Sequence, residues 1–231
     1  PAYLAPALAA LAASWWLRWP WRASALAALL VVLVGVMDLK WGRADAGQGA
    51  FRLMTWNVKA FRHTWSPERD HRIAVEILEH SPDVLVMQDA VDYTRPGEAL
   101  PAPLIAALRD HTIFRHGEYV VASRLPLSDC RAQPLPSLDE PRDFVRCRLR
   151  VGDTEIDLVN AHLLSPREGL NAARWEWFDG GLDDWEDNLA HRLSQAAVLV
   201  RHLAGSSRPL ILAGDLNAAE GSPVVRGLKA I

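Results

Sequence analysis

The feature that most constrains this chain is an apolar run near its end that stops at two oxygen-bearing side chains. Residues 210–213 follow Pro209 and are typical of a buried strand, and Gly214 permits a turn or a close approach of the backbone. Asp215 and Asn217 come next, at the carboxyl end of the strand, where open α/β sheets place their ligands. Such a pair can hold a hard cation, or can orient a water molecule and a phosphate oxygen. The pattern Gly-Asp-x-Asn is also typical of an ordinary turn, so other segments must decide.

Three more predicted strands end in polar side chains. They are Asn57 in the strand over residues 51–58, Gln88 and Asp89 in the strand over residues 83–89, and Asn160 with His162 in the strand over residues 155–162. Taken singly, a buried amide is usually a satisfied core residue and a lone histidine is more often structural. Taken together, the four strand ends predict one polar pocket at one edge of paired sheets.

These residue types are the ones that phosphoester hydrolysis needs. Asp89 offers a negative oxygen for Mg²⁺, and Asp215 with Asn217 can orient a water molecule and the phosphate. His162 can donate a hydrogen bond to a phosphoryl oxygen. A divalent metal offsets the phosphate charge and stabilises the transition state.

Four motifs, in this order, carry a resemblance to a known family. They are Thr55-Trp56-Asn57-Val58, Pro82-Asp83-Val84-Leu85-Val86-Met87-Gln88-Asp89, Val159-Asn160-Ala161-His162 and Ala213-Gly214-Asp215-Leu216-Asn217-Ala218. Together they resemble the endonuclease/exonuclease/phosphatase superfamily, which has the deoxyribonuclease-I-like fold. The stretch from Gly117 to Arg124 also resembles the family's strand ending in Ser-Arg. The resemblance covers residues 51–231 and implies an α/β four-layer sandwich, in which two packed mixed β-sheets are flanked by helices.

The resemblance also implies an activity and roles for individual residues. The activity is cleavage of phosphoester bonds with Mg²⁺, or with Mn²⁺ as an alternative, in nucleic acid, a phospholipid or a small phosphodiester. The implied metal ligands are Asn57 and Asp89, the implied catalytic residues are His162, Asp215 and Asn217, and the implied substrate-binding residues are Asn160 and Asn217. No protein partner is implied.

The chain departs from the family pattern in two ways. The family's metal-binding glutamate is Asp89 here, and no Ser/Cys-Asp-His segment follows Asn217. His191 and His202 lie before the strand that carries Asp215, so they do not replace the histidine of that segment. Two hypotheses follow. Either the sequence, which begins at Pro1, is a fragment of a complete hydrolase, which we expect, or the protein is a degenerate binding module that keeps the fold without catalysis.

Residues 1–41 predict a transmembrane helical hairpin, residues 42–50 a linker and residues 51–231 the globular domain. Residues 2–17 and 23–37 are apolar, and tryptophans and arginines separate them, as at a membrane–water interface. We therefore expect a multi-pass protein of the cell membrane, with the lipid bilayer as a partner and the domain on the extracytoplasmic side. A signal sequence or a buried soluble hairpin is the alternative.

The charge of the chain does not identify the substrate, and the sequence does not decide whether its two cysteines pair. The chain has 25 basic and 28 acidic residues. Four of the basic residues and one of the acidic residues lie in residues 1–43, so the rest of the chain has a net charge of −6. An acidic body is not the electrostatic pattern of a non-specific nucleic-acid binder, although a local basic cleft can coexist with it. Cys147 reads as a small buried residue, and its pairing with Cys130 is not decided by the sequence.

Two helices are predicted in the domain. Ser66-Pro67-Glu68 is typical of a helix start, and the helix after it is expected to bury Ile73, Ala74, Ile77 and Leu78. A second helix is expected from Asn188, with its buried face formed by Leu189, Leu193, Ala196, Ala197, Val200 and Leu203.

Overall fold

The computed structural model describes residues 9, 12, 19–31, 33, 51–61, 66–137, 141–167, 169–171 and 181–229. Its helices are α1 Trp19–Leu30, α2 Pro67–His80, α3 Ala102–Ala107, α4 Gly181–Leu203 and α5 Pro223–Leu228. Its strands are β1 Leu53–Asn57, β2 Val84–Gln88, β3 Thr112–His116, β4 Tyr119–Ser123, β5 Leu127–Leu135, β6 Arg142–Val151, β7 Thr154–His162 and β8 Leu210–Asp215. The chain divides into two compact units, and the larger one, residues 48–217 with 227–231, contains these strands.

The strands form two four-stranded mixed sheets. The first sheet has the order β1-β2-β4-β3, and the second has the order β5-β6-β7-β8. In each sheet one pair is parallel, β1 with β2 and β7 with β8, and the other pairs are antiparallel. Two mixed sheets flanked by helices confirm the predicted α/β sandwich.

The two sheets share an apolar core. Val86 of β2 and Val121 of β4 belong to the same buried cluster as Val145 of β6 and Leu158 of β7. A second buried cluster lies on the other side of the first sheet, where α2 contributes Ile77. Because the first sheet is covered on both sides, every residue of β2 and β4 is buried.

Helix α2 begins as the sequence predicts, but its buried face is narrower. The Ser66 side chain accepts a hydrogen bond from the Arg69 backbone N–H at 3.0 Å, and Pro67 occupies the first turn. Ile77 is buried, whereas Leu78 is 57% exposed and does not belong to the core. One further residue along a helix turns the side chain by about 100°, which carries Leu78 away from the sheet.

Helix α4 begins earlier than predicted, and only part of its predicted face is buried: Ala196 and Leu203 are buried as expected, and Ala197 is exposed. It starts at Gly181 rather than Asn188, and Leu189 and Leu193 are 37% and 39% exposed. The buried positions include Asn188, Arg192 and Gln195 together with Leu199 and Leu203. The polar members are buried because they bond to backbone carbonyls and amides. For example, Gln195 accepts from the Leu164 N–H at 2.9 Å and donates to the Pro136 carbonyl at 2.7 Å.

The predicted transmembrane hairpin is wrong for the residues that the structure describes. Helix α1 has 12 residues and includes positions 19–22, which were expected to form the turn between two spans. Across the described residues, none of the helices combines the length and the apolar character that a membrane crossing requires. The expected multi-pass membrane location is therefore overturned, and a bilayer partner has no support. Most of residues 2–17, residues 32 and 34–37, and the linker over 42–50 lie outside the described residues.

The two cysteines form a disulfide. Cys130 of β5 and Cys147 of β6 are bonded across neighbouring strands, 17 residues apart in sequence. The bond lies where the β5–β6 register shifts, between Ser128 and Arg131. The open question of their pairing is thereby answered, and Cys147 is buried as expected.

Candidate active site

The polar strand ends meet at one edge of the sandwich, here called the site edge. Because β1 is parallel to β2 and β7 is parallel to β8, Asn57 is level with Gln88, and His162 is level with Asp215. The Asn57 Nδ2 amide donates to Asp215 Oδ2 at 3.0 Å, and this bond joins the two sheets. His162 Nε2 lies 3.9 Å from the same carboxylate oxygen. The site edge therefore assembles residues that are far apart in sequence.

A compact cluster of Asp89, Glu118 and His162 lies beside this pair. His162 Nδ1 is 2.8 Å from Glu118 Oε2 and 3.5 Å from Asp89 Oδ1. One ligand atom from each of the three residues lies within 4.8 Å of the others, which is close enough to share a metal ion. Two carboxylates with one imidazole form a donor set that binds divalent cations.

Glu118 is the member of this cluster that the sequence analysis missed. It precedes β4, and β4 runs antiparallel to β2, with Val120 opposite Met87. The beginning of β4 therefore lies beside the end of β2, where Asp89 follows. The available signal was an acidic residue directly before a fully apolar strand, at a position that only the pairing direction identifies.

Gly214 is required for the close packing of β8 against β7. Its φ angle is +139°, and a Cβ atom at this position would lie 1.9 Å from the Ala161 carbonyl oxygen. The sequence prediction of a close backbone approach is confirmed. The approach brings Asp215, the next residue, level with His162.

Asp215 and Asn217 form the turn that was the alternative interpretation of their motif. The Asn217 backbone N–H donates to Asp215 Oδ1 at 3.0 Å, and Asn217 Nδ2 donates to the Leu163 carbonyl at 2.8 Å. Asn217 adopts a left-handed φ of 47°, which asparagine tolerates better than most residues. The same turn holds the Asp215 carboxylate at the site edge, so the turn geometry and a place in the site coexist.

Asn160 and Gln88 form a buried amide pair beneath the site. Gln88 Nε2 donates to Asn160 Oδ1 at 2.7 Å, and Asn160 Nδ2 donates to the Met87 carbonyl at 2.9 Å. Asn160 is fully buried, with 0% exposure, and both of its side-chain polar atoms are engaged. These contacts support a positioning role, and direct substrate binding by Asn160 stays a prediction.

Charges and burial shift the pKa values of the cluster in different directions. Burial disfavours the charged imidazole, but the hydrogen bond and charge of Glu118, with Asp89 and Asp215, outweigh it and raise the pKa of His162. Burial raises the pKa of Asp89, and the neighbouring Glu118 adds to the rise. For Glu118 burial is outweighed by the hydrogen bond to His162, which lowers the pKa of Glu118. The three carboxylates around His162 therefore all favour its protonated form.

Two further residues hold the cluster in place. The Arg142 guanidinium lies 3.8 Å from Glu118 Oε1, on the side of the carboxylate away from His162. The Tyr119 hydroxyl accepts from the His162 backbone N–H at 3.1 Å and donates to the Asp143 carbonyl at 2.7 Å. Both ends of the Glu118–His162 pair are thus fixed by neighbouring groups.

The sequence matches the Endonuclease/Exonuclease/phosphatase family over residues 54–231. This match covers most of the chain, and the chain belongs to that family. The predicted superfamily is therefore confirmed. No protein among the curated ones matches the sequence.

Solved structures of other proteins show the same fold. An endonuclease/exonuclease/phosphatase from Beutenbergia cavernae aligns at a TM-score of 0.50 with 21% identity, over 74% of this chain and 48% of that protein. Sphingomyelinase C from Streptomyces griseocarneus aligns at 0.53 with 18% identity, over 78% and 68%. TDP2 from D. rerio, complexed with a single-strand DNA product, aligns at 0.51 with 15% identity, over 78% and 64%. This chain therefore spans about half the length of the first of these proteins.

Proposed function

We propose that the protein is a metal-dependent phosphoester hydrolase whose active site is the site edge. The observation that carries the proposal is the convergence of Asn57, Asp89, Glu118, His162 and Asp215 from both sheets, with Asn57 and Asp215 bonded at 3.0 Å. Membership of the Endonuclease/Exonuclease/phosphatase family supports the reaction class.

The residues present fit a divalent cation such as Mg²⁺. Asp89 and Glu118 place two carboxylates side by side against a single imidazole, and burial raises the pKa of Asp89. A cation beside Asp89 relieves this cost of a half-buried negative charge. Asp89 and Asn57 are the proposed ligands, and Glu118 is close enough to complete the set. When bound, the cation would offset the phosphate charge and stabilise the charge that develops in the transition state.

The remaining residues have roles that follow from their geometry. The Asp215 carboxylate is 32% exposed and can accept a hydrogen bond from the attacking water molecule. The water oxygen bonds to phosphorus as the bond to the leaving oxygen breaks; the water loses a proton and the leaving oxygen gains one. When His162 is protonated, which Glu118 favours, it can donate to a phosphoryl oxygen. We assign to Asn217 the orientation of Asp215, because its backbone N–H holds that carboxylate.

The substrate class we propose is a phosphodiester. Among proteins of the same fold, one is named for sphingomyelin cleavage and another was solved with a single-strand DNA product. These names apply to those proteins, and they define the two substrates to be tried first, a choline phospholipid and single-stranded DNA. A small chromogenic phosphodiester is the third, because it fits any open site.

The test uses the whole protein, with Asp215→Ala as the active-site variant. We expect wild-type cleavage of a phosphodiester with Mg²⁺, loss of cleavage in EDTA, and a loss of more than about 100-fold in Asp215→Ala. Asp153→Ala, in the exposed turn between β6 and β7, is the matched control and should cleave normally. An Asp215→Ala protein with wild-type activity would refute the assignment.

A second function, binding without catalysis, is favoured by one observation. Asp89 stands where the family pattern has a glutamate, and its carboxylate is one methylene shorter. If the wild-type protein binds a phosphodiester by calorimetry but turns over none of the three substrates with Mg²⁺ or Mn²⁺, this second function replaces the first.

A further inference from the structure

A polar cavity on the second sheet, away from the site edge, is lined by four arginines. We call it the arginine pocket; its volume is about 160 Å³. Arg131 comes from β5, Arg146 and Arg148 come from β6, and Arg208 precedes β8. Asp157 of the same cavity is five residues before His162 on β7, which corresponds to roughly 17 Å along the strand. The pocket is therefore separate from the site edge.

The pocket carries an excess of positive charge. Its lining contains four arginines and two aspartates, Asp129 and Asp157, an excess of two positive charges. Asp157 is buried and shared by two of the arginines, since Arg146 Nη2 lies at 2.5 Å and Arg208 Nε at 3.3 Å. One carboxylate thus faces two guanidinium groups.

Three residues that line the pocket, Arg131, Gln133 and Arg148, have side-chain atoms without a partner among the described residues. Among the residues that the structure describes, no carboxylate lies within ion-pair distance of the exposed Arg131 guanidinium, so this group is available to an anion. Within the same described part, the buried atoms Arg148 Nε and Gln133 Oε1 make no hydrogen bond, although the Arg148 guanidinium pairs with Asp129 at 2.7 Å and with Glu155 at 3.5 Å. Buried polar atoms are normally satisfied, so unpartnered ones in a charged cavity indicate a missing ligand.

We propose that the arginine pocket binds a phosphate dianion, either free inorganic phosphate or the phosphate group of a small phosphomonoester. The lining has more guanidinium groups than carboxylates, which favours an anion even though Glu155 also pairs with Arg148. Guanidinium groups present planar pairs of N–H donors that suit phosphate oxygens, and several of them surround the cavity. The volume of about 160 Å³ accommodates a phosphate with a small substituent.

The pairing register explains why these side chains share one face. Arg131 lies opposite Arg146 in the β5–β6 pair, and Arg148 lies opposite Asp157 in the β6–β7 pair. Alternate residues of a strand point to the same face, so Arg146 and Arg148 face the same cavity. Two residues before β8 also bond to Asp157 of the cavity. Ser206 Oγ donates to Asp157 Oδ2 at 2.5 Å, and Arg208 Nε donates to Asp157 Oδ1 at 3.3 Å.

The experiment measures phosphate binding to the whole protein by calorimetry, in EDTA and at an ionic strength held constant with NaCl. EDTA removes divalent metal, and with it metal-assisted binding of phosphate at the site edge. We expect one bound phosphate in the wild-type protein, and a dissociation constant at least about tenfold weaker in Arg131→Gln and in Arg148→Gln. Glycerol phosphate, measured in parallel, decides the source: binding of both identifies a phosphomonoester site, and binding of inorganic phosphate alone identifies a site for the free ion.

Controls separate this site from general charge and from the site edge. Arg150→Gln makes the same charge change on β6, where Arg150 is 61% exposed and does not line the cavity, so binding should be unchanged. Asp215→Ala should also bind phosphate normally. Arg131 is exposed, so Arg131→Gln keeps the test valid if Arg148→Gln fails to fold. Equal binding in the wild-type protein and in Arg131→Gln, no binding above the NaCl control, or loss only in Asp215→Ala would each overturn the proposal.

Discussion

Asn57 Nδ2 and Asp215 Oδ2 are 3.0 Å apart, although the two residues lie 158 positions apart in the sequence and in different sheets. The bond fixes one carboxylate oxygen of Asp215. The other oxygen, Oδ1, accepts from the Asn217 backbone N–H. The carboxylate is thus oriented from two directions before any substrate binds.

Replacing Asn57 by alanine should weaken catalysis without unfolding the protein. We expect kcat to fall by about 10- to 100-fold, because Asp215 loses the donor that orients it and the proposed metal site loses one ligand. Phosphodiesterase assays with the wild-type and variant proteins measure this effect. Asn171→Ala, at an exposed position, is the matched control. Unchanged kcat in Asn57→Ala would show that the orientation of Asp215 does not limit the reaction.

Replacing Glu118 by glutamine should lower the pKa of His162. In the folded protein burial opposes the charged imidazole, but Glu118 outweighs it and raises this pKa, so the variant should lose its protonated form at a lower pH. If activity requires the protonated imidazole, the alkaline limb of the pH–activity profile shifts to lower pH as well. NMR titration of His162 in the metal-free protein measures the pKa directly.

The control for this shift is Glu76→Gln, which removes a carboxylate from the exposed pair Glu76–His80. His162 should titrate normally in that variant. As long as Glu118 is ionised, stabilisation by the Glu118–His162 pair is complete below the unfolded-state pKa of His162, about 6.5, and disappears as the pH rises through the raised pKa of the folded state. In acid it is lost again as the pH falls through the lowered pKa of Glu118. An unchanged His162 titration in Glu118→Gln would contradict the proposed pairing.

Replacing Gly214 by alanine should destabilise the protein by at least about 2 kcal/mol. The added methyl group would lie 1.9 Å from the Ala161 carbonyl oxygen, and the φ angle of +139° is strained for any L side chain. Urea denaturation measures the change. Gly227→Ala is the control, because nothing lies within 4 Å of its added methyl. Equal stability of Gly214→Ala and the wild-type protein would contradict the described approach of β8 to β7.

Asp157 should contribute stability that acid removes. Burial opposes its ionisation, but the hydrogen bonds from Arg146 and Ser206 outweigh it and lower the pKa of Asp157. Its contribution is therefore complete above the unfolded-state pKa of about 3.9 and falls as the pH drops through the lower pKa of the folded state. We expect Asp157→Asn to cost about 2 kcal/mol near neutral pH, because two partly exposed guanidinium groups and the Ser206 hydroxyl lose their charged, buried partner.

Urea denaturation across the pH range tests this, with Asp129→Asn as the control. Asp129 is 48% exposed, so its replacement should cost less than about 1 kcal/mol. The difference between the wild-type protein and Asp157→Asn should shrink in acid. A difference that stays constant down to pH 2 would contradict the lowered pKa.

The sequence predicted the strands that carry the site because their pattern is local. An apolar run followed by a polar residue is visible within about eight positions, and Asn57, Asp89, His162 and Asp215 were all found in this way. The structure places them at one edge, as parallel pairing requires. Glu118 was missed because its position depends on the antiparallel direction of β4, which no local pattern contains.

Two sequence predictions were wrong, the buried face of α4 and the membrane location of the N-terminal residues. The buried face of α4 was assigned from apolar spacing, but Asn188, Arg192 and Gln195 are buried because they bond to carbonyls and amides that the sequence does not locate. The N-terminal residues were assigned to a membrane from composition. In the described part of this region, helix α1 includes the positions that were predicted to form the turn of the hairpin.

The amide pair of Gln88 and Asn160 determines how the two sheets can slide over each other. Apolar contacts are non-directional, so a purely apolar interface tolerates a shift of one sheet along the other. The amide pair does not, because any such displacement leaves two buried polar groups without partners, at about 1–3 kcal/mol each. Gln88 and Asn160 therefore fix the position of one sheet relative to the other. Because each sheet carries some of the site residues, this fixed position is the one in which those residues lie together.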